Sequence, residues 1–259
     1  MIRLAIAFAG LLLAACGSKD EPAFPQLDAA TIQSGSVFLT EETRSLQADS
    51  FANPGMLWVD RGAALFSSSQ GVSAACSACH DGESMVGASV RYPTIDQASG
   101  TLINIEGRIN LCRERHQDAP ALAYESENLL ALTAYVAAQS NGMPYSKTLS
   151  DPETEHFAIG ETYFHTRRGQ LNLSCSQCHT LNWGKNLRGD TISQGHGNGF
   201  PAYRLEWQSL GSLHRRFHDC DVGVRAEPMD AGSETYTALE LYLRVRSGGL
   251  ESEAPAVRR

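Results

Sequence analysis

Cys76-Ser77-Ala78-Cys79-His80 and Cys175-Ser176-Gln177-Cys178-His179 decide how this chain folds. In each stretch two thiols are separated by two residues and followed at once by a histidine, the pattern of covalent c-type haem attachment. The spacing has a chemical reason: the thiols add to the two vinyl groups of one haem, and the adjacent imidazole then lies under the iron as an axial ligand. Two copies predict two covalently bound haem c groups. Cys76, Cys79, Cys175 and Cys178 are the attachment points, and His80 and His179 the iron ligands. Zinc binding and redox dithiol chemistry are the weaker alternatives for such pairs.

Working outward, the same unit occurs twice. Gly62-Ala63-Ala64-Leu65-Phe66 precedes the first motif and Gly160-Glu161-Thr162-Tyr163-Phe164 the second. Beyond the motifs, the segments starting at Ser126 and Ser233 align at an offset of 107. Each begins with a good N-cap and a glutamate in the first turn, carries apolar residues at helical spacing, and stops at Asn141-Gly142 or Gly248-Gly249. The expected fold is mostly α: two tandem cytochrome c-type domains with long haem-wrapping loops and an N-terminal extension. The expected boundaries are 1–15 for a signal peptide, 16–50 for the extension, 51–145 for the first domain and 156–259 for the second. Pro144, Pro152 and charged residues mark a linker near 146–155.

Of the seven cysteines, Cys16, Cys112 and Cys220 remain. Cys112 and Cys220 are 108 residues apart, almost the offset of the helices, so each holds the same place in its own unit. That place precedes the closing helix, where a cytochrome c domain presents its second axial ligand. The two are therefore expected to be the distal iron ligands. A Cys112–Cys220 disulfide, or His218 as the distal ligand of the second iron, are the competing assignments. A thiolate ligand lowers a haem's potential and keeps the sulfur in its nucleophilic form.

Arg216 lies four residues before Cys220, hence on the same face if the segment is helical. Arg246 closes the second unit, where the first has Gln139 by the 107 offset. Guanidinium groups beside a reactive sulfur suit a small sulfur oxyanion, although they equally suit haem propionates.

The chain opens as an export signal: Arg3, a short apolar run from Leu4 to Ala15 that is too short to span a bilayer, then Leu13-Ala14-Ala15-Cys16-Gly17. Cys16 is the expected lipidation site of a lipoprotein. Either kind of signal peptide places the product in the periplasm, and Cys16 adds a membrane tether. The formal charge of −8 argues against nucleic acid as a partner.

Further stretches carry a resemblance over nearly the whole mature chain. They are 47–59 (QADSFANPGMLWV), Ile109-Asn110-Leu111-Cys112-Arg113, Gly195-His196-Gly197-Asn198-Gly199-Phe200-Pro201, Tyr203 to Gln208, and Val224-Arg225-Ala226-Glu227-Pro228. They resemble the SoxA family, the larger subunits of the SoxAX cytochrome complexes of thiosulfate oxidation. The resemblance implies an L-cysteine S-thiosulfotransferase that conjugates thiosulfate oxidatively to a cysteine of the SoxYZ carrier and passes electrons to a SoxX-like monohaem cytochrome c. It makes Cys220 the catalytic cysteine, able to exist as a persulfide, and Arg216 the substrate-binding arginine, with Arg246 as a second. Phe217-His218-Asp219 departs from the family's pattern. The rival functions are a thiosulfate dehydrogenase forming tetrathionate and a plain dihaem electron-transfer cytochrome.

Overall fold

Each unit is organised by a glycine. In the computed structural model, which describes residues 24–259 apart from Gln70 and Gly82, the helices are α1 (Glu41–Ala48), α2 (Met56–Ser67), α3 (Ile105–His116), α4 (Glu127–Ala138), α5 (Asp151–His165), α6 (Cys175–His179), α7 (Leu213–Gly223) and α8 (Glu234–Arg246). Short strands β1 (Thr94–Ile95), β2 (Leu102–Ile103), β3 (Asn186–Leu187), β4 (Asp190–Thr191), β5 (Ala202–Arg204), β6 (Ser209–Gly211) and β7 (Ala256–Arg258) complete a mostly helical chain. Cys16 and the export segment lie outside the described residues.

Helix α2 packs on α4, and α5 on α8. A Cβ on Gly62 would sit 2.0 Å from Ala131 O, and one on Gly160 2.1 Å from Ala238 O. No side chain fits there, so the hydrogen of glycine is what lets each pair of helix backbones touch. The closing helices start as expected: Ser126 Oγ accepts from Leu129 N–H and Ser233 Oγ from Tyr236 N–H. The linker is shorter than expected. Residues 151–155 are already the first turns of α5, with Pro152 inside its start and a capping box between Ser150 and Glu153. Proline suits that position because the first helical N–H groups have no intrahelical acceptor.

The two units interlock through antiparallel hairpins, β1–β2 in the first and β5–β6 in the second. Leu102 of the first hairpin is buried against Ala238 and Leu241 of α8. Leu210 of the second is buried against Val59, Leu130 and Ala134 of α2 and α4. Each hairpin thus covers the closing helix of the other unit.

The extension lies on the second unit. Gln33 N–H donates to Gln194 Oε1 at 2.8 Å, and Gln194 Nε2 returns a bond to Thr31 O at 2.7 Å. Ser34 and Ser36 both donate to Glu253, and Arg258 of β7 donates to Gln47. Strand β7 runs parallel to β5, so the chain's C-terminal strand closes the sheet beside the second hairpin.

Candidate functional site

The second attachment motif forms α6, opened by a capping box between Ser174 and Gln177. His179 Nδ1 is 2.8 Å from Ser193 O, a carbonyl that can only accept. Nδ1 therefore carries the proton, and Nε2 keeps the lone pair an iron needs. Burial pushes the His179 pKa down to about 4, assisted by the charges of Arg216 and Arg246 and opposed by the Ser193 carbonyl, which keeps the imidazole neutral. Gly195 presses on the other side of the ring: a Cβ there would lie 2.6 Å from His179 Cγ, and its φ of +75° already favours glycine.

Cys220 is carried by α7, whose N-cap Ser212 accepts from Arg215 N–H. The helix is pinned beside Cys220 by Asp221, which is buried and accepts from Tyr163 Oη at 2.6 Å, Tyr236 Oη at 2.7 Å and Arg168 at 3.2 Å. Arg168 also reaches Cys175 Sγ at 3.6 Å. The Cys220 charge acts on both Cys175 and Cys178, so the three sulfurs share one neighbourhood. All described cysteines are free, and Cys220 and Arg216 are half-buried on the same face of α7. His218 is 52% exposed and lies 3.7 Å from Asp219.

The first site repeats the arrangement. Cys112 lies on α3, half-buried and near Cys76 and Cys79. Gln117 Nε2 donates to Cys76 Sγ at 3.4 Å. Burial raises the Cys112 pKa, opposed first by the charge of Arg108.

Among the described residues no three His, Cys, Asp or Glu side chains converge as ligands for a bare metal ion. A neutral imidazole with a free Nε2 and two attachment thiols are the donors a covalent haem uses, Cys220 stands nearby as a further sulfur donor, and the residues present fit that group.

Arg246 reaches the second site from α8. It donates to Gln194 O at 2.6 Å, His179 O at 3.0 Å and Thr180 Oγ1 at 3.1 Å, and covers the Phe164 ring at 4.7 Å. These bonds tie it to the backbone that carries the proximal histidine, and none goes to Cys220 or its helix. The comparison of Arg246 with Gln139 also missed a cation: at the 108 offset of the cysteines, Arg216 corresponds to Arg108.

The family model SoxA/TsdA, cytochrome c domain, matches residues 61–145. The L-cysteine S-thiosulfotransferase subunit SoxA of Pseudaminobacter salicylatoxidans is 42% identical over 229 residues, 87% of this chain and 80% of that protein. The subunit of the same name from Paracoccus pantotrophus is 37% identical over 239 residues, 92% and 82% of the two chains. The chain belongs to the SoxA family. The solved SoxXA structure from P. pantotrophus has a TM-score of 0.85 at 36% identity, covering 88% of this chain and 87% of that one. The fold is thus the SoxA fold, and covalent haem c is the group of its cytochrome c domain.

Proposed function

We propose that the chain is the SoxA subunit of an exported L-cysteine S-thiosulfotransferase, with haem c at both attachment motifs and Cys220 as the reactive sulfur. The observation that carries this is the seat of Cys220: half-buried, beside Cys175 and Cys178, with Arg216 one turn before it on the same helical face.

The net reaction joins a carrier thiol to thiosulfate, giving carrier-S-S-SO3⁻ with release of one proton and two electrons. Arg216 holds the sulfonate end by charge-assisted hydrogen bonds, which points the outer sulfur toward Cys220. An S–S bond forms between the Cys220 thiolate and that sulfur, and the two sulfurs together give up two electrons. The carrier thiolate then attacks the same sulfur, breaking its bond to Cys220 and returning the Cys220 thiolate. A persulfide on Cys220 would extend the attacking sulfur by one atom without altering the balance. Haem c held by Cys175, Cys178 and His179 would supply a one-electron acceptor used twice per turnover, and a SoxX-like monohaem cytochrome is the partner that takes the electrons onward. Ser193 and Gly195 fix the His179 ring, and Arg246 ties the same backbone segment to α8.

SoxYZ is the proposed carrier and the periplasm the proposed compartment, with Cys16 as a lipid tether. The test is product analysis of the SoxX complex given thiosulfate with and without carrier. Thiosulfate consumption that requires the carrier and releases no tetrathionate supports the transferase. Tetrathionate release without carrier overturns it in favour of a dehydrogenase.

A further inference from the structure

Around their distal cysteines the elements of the two units correspond at an offset of 108. Strand β1 corresponds to β5, β2 to β6, the N-cap Asn104 to Ser212, Arg108 to Arg216, and Cys112 to Cys220. On one rung of the hairpins in this frame the charge inverts. Asp96 follows β1, and its N–H donates to Thr101 O at 2.9 Å; Arg204 ends β5, in register with Ser209. Both are the same rung of the same hairpin.

In the first unit, Asp96 is 2% exposed. Its carboxylate accepts from Arg108 Nη2 at 3.0 Å and from both Nη atoms of Arg115 at 3.0 and 2.8 Å, and Ser99 Oγ donates to it as well. Arg108 Nε is also used, donating to Tyr92 Oη at 3.0 Å. Arg108 and Arg115 lie four residues before and three after Cys112 on α3, and both act electrostatically on that thiol. The cations beside the first distal cysteine are thus held by a carboxylate of the chain itself.

In the second unit the same rung adds a cation instead. Arg204 is 7% exposed, its guanidinium lies over the Trp207 ring at 5.0 Å, and its buried Nε has no hydrogen-bond partner. One Nη donates to Glu206 at 2.7 Å, a carboxylate that is itself more than half exposed. Burial lowers the Arg204 pKa and the charge of Arg216 lowers it further, while Glu206 and then the charge of Cys220 oppose them; on the equivalent rung Asp96 reaches Arg108, the counterpart of Arg216, at 3.0 Å. Arg216 forms no ion pair among the described residues. The carboxylate that both guanidiniums feel, Glu206, is solvent-facing, and it leaves the buried Arg204 Nε without a partner, an arrangement that is costly unless a further acceptor joins it.

We propose that Arg204 is a second binding residue for the sulfur oxyanion beside Arg216, and that Asp96 on the equivalent rung is what keeps the first unit from binding that anion. The inference rests on Cys220 being the reactive sulfur. One internal carboxylate therefore separates a silent haem unit from an active one.

Isothermal titration of thiosulfate into the oxidised SoxX complex, without carrier, tests it. Arg204→Gln weakens binding at least tenfold, Arg204→Lys recovers part of the loss, and haem content and visible spectrum stay those of the native complex. Asp96→Asn raises the stoichiometry from one thiosulfate per chain toward two. Arg204→Gln binding within twofold of native, while Cys220→Ala is inactive, overturns the role of Arg204 and leaves the transferase reading intact. A stoichiometry that stays at one in Asp96→Asn overturns the role of Asp96. If Arg204→Gln does not assemble with haem, Glu206→Gln decides: it removes the competing carboxylate and must tighten binding at least threefold, and unchanged affinity counts against Arg204. Activity retained in Cys220→Ala fails the underlying reading instead.

Discussion

Gly160 lies so close to Ala238 that a single added carbon would stand 2.1 Å from the Ala238 carbonyl oxygen. The obstacle is backbone, which cannot swing aside as a side chain would. Alanine is preferred over glycine inside a helix by about 1 kcal/mol, so propensity alone predicts that Gly160→Ala stabilises α5. The contact predicts the reverse, a loss of about 3 kcal/mol from overpacking. Gly62→Ala, where the gap to Ala131 O is 2.0 Å, should do the same in the first unit. Thermal unfolding of the holo protein checks both; a raised midpoint in either variant contradicts the close packing of the helices.

The helix pairs were legible because long apolar stripes and serine caps survive in both copies, and Gly62 and Gly160 stand at matching places in them. The attachment motifs, and the equivalent placement of Cys112 and Cys220 beside them, were legible from spacing alone. The hairpins were not: strands of two or three residues carry no alternation to read, so neither the interlocking of Leu102 and Leu210 nor the Asp96–Arg204 rung could be anticipated from pattern. Arg108 was within reach, since Arg216 and Cys220 share the 108 offset. It was missed because the arginine comparison used the 107 offset of the closing helices. The place of Arg246 on α8 was legible, but its bond to the Gln194 carbonyl depends on the path of the 193–197 segment, which no sequence pattern gives.

Glu153 joins the units, and its titration should be visible in acid. Burial pushes its pKa up, but this is outweighed by Lys147 at 2.6 Å, the Ser150 N–H at 3.0 Å, and the Thr94 and Ser150 hydroxyls, which bring it from 4.5 down to about 2. A depressed carboxylate contributes stability that is fully present above its ordinary pKa of 4.5 and is lost as pH falls through about 2. Glu153→Gln should therefore be less stable than native at neutral pH and lose less on acidification across that window. Unfolding midpoints measured from pH 6 to 2 check this; parallel curves for the two proteins would contradict it.

Arg246 is expected to tune the second haem site rather than bind substrate. Its guanidinium is bonded to the carbonyls of His179 and Gln194. Removing a cation there favours the ferric state, so Arg246→Gln should lower the second haem's reduction potential. The KM for thiosulfate should stay within twofold of native. Potentiometric titration alongside steady-state kinetics separates the two roles: an unchanged potential with a KM raised tenfold would place Arg246 at the substrate.

The central claim is that Cys220 is the sulfur through which thiosulfate reaches the carrier. Intact-mass measurement of the SoxYZ carrier after incubation with thiosulfate and the SoxX complex of this chain tests it most directly. The expected result is a thiosulfonate-sized gain on one carrier cysteine with the native protein and none with Cys220→Ala, while haem remains covalently attached in both. The same gain from Cys220→Ala would contradict the account.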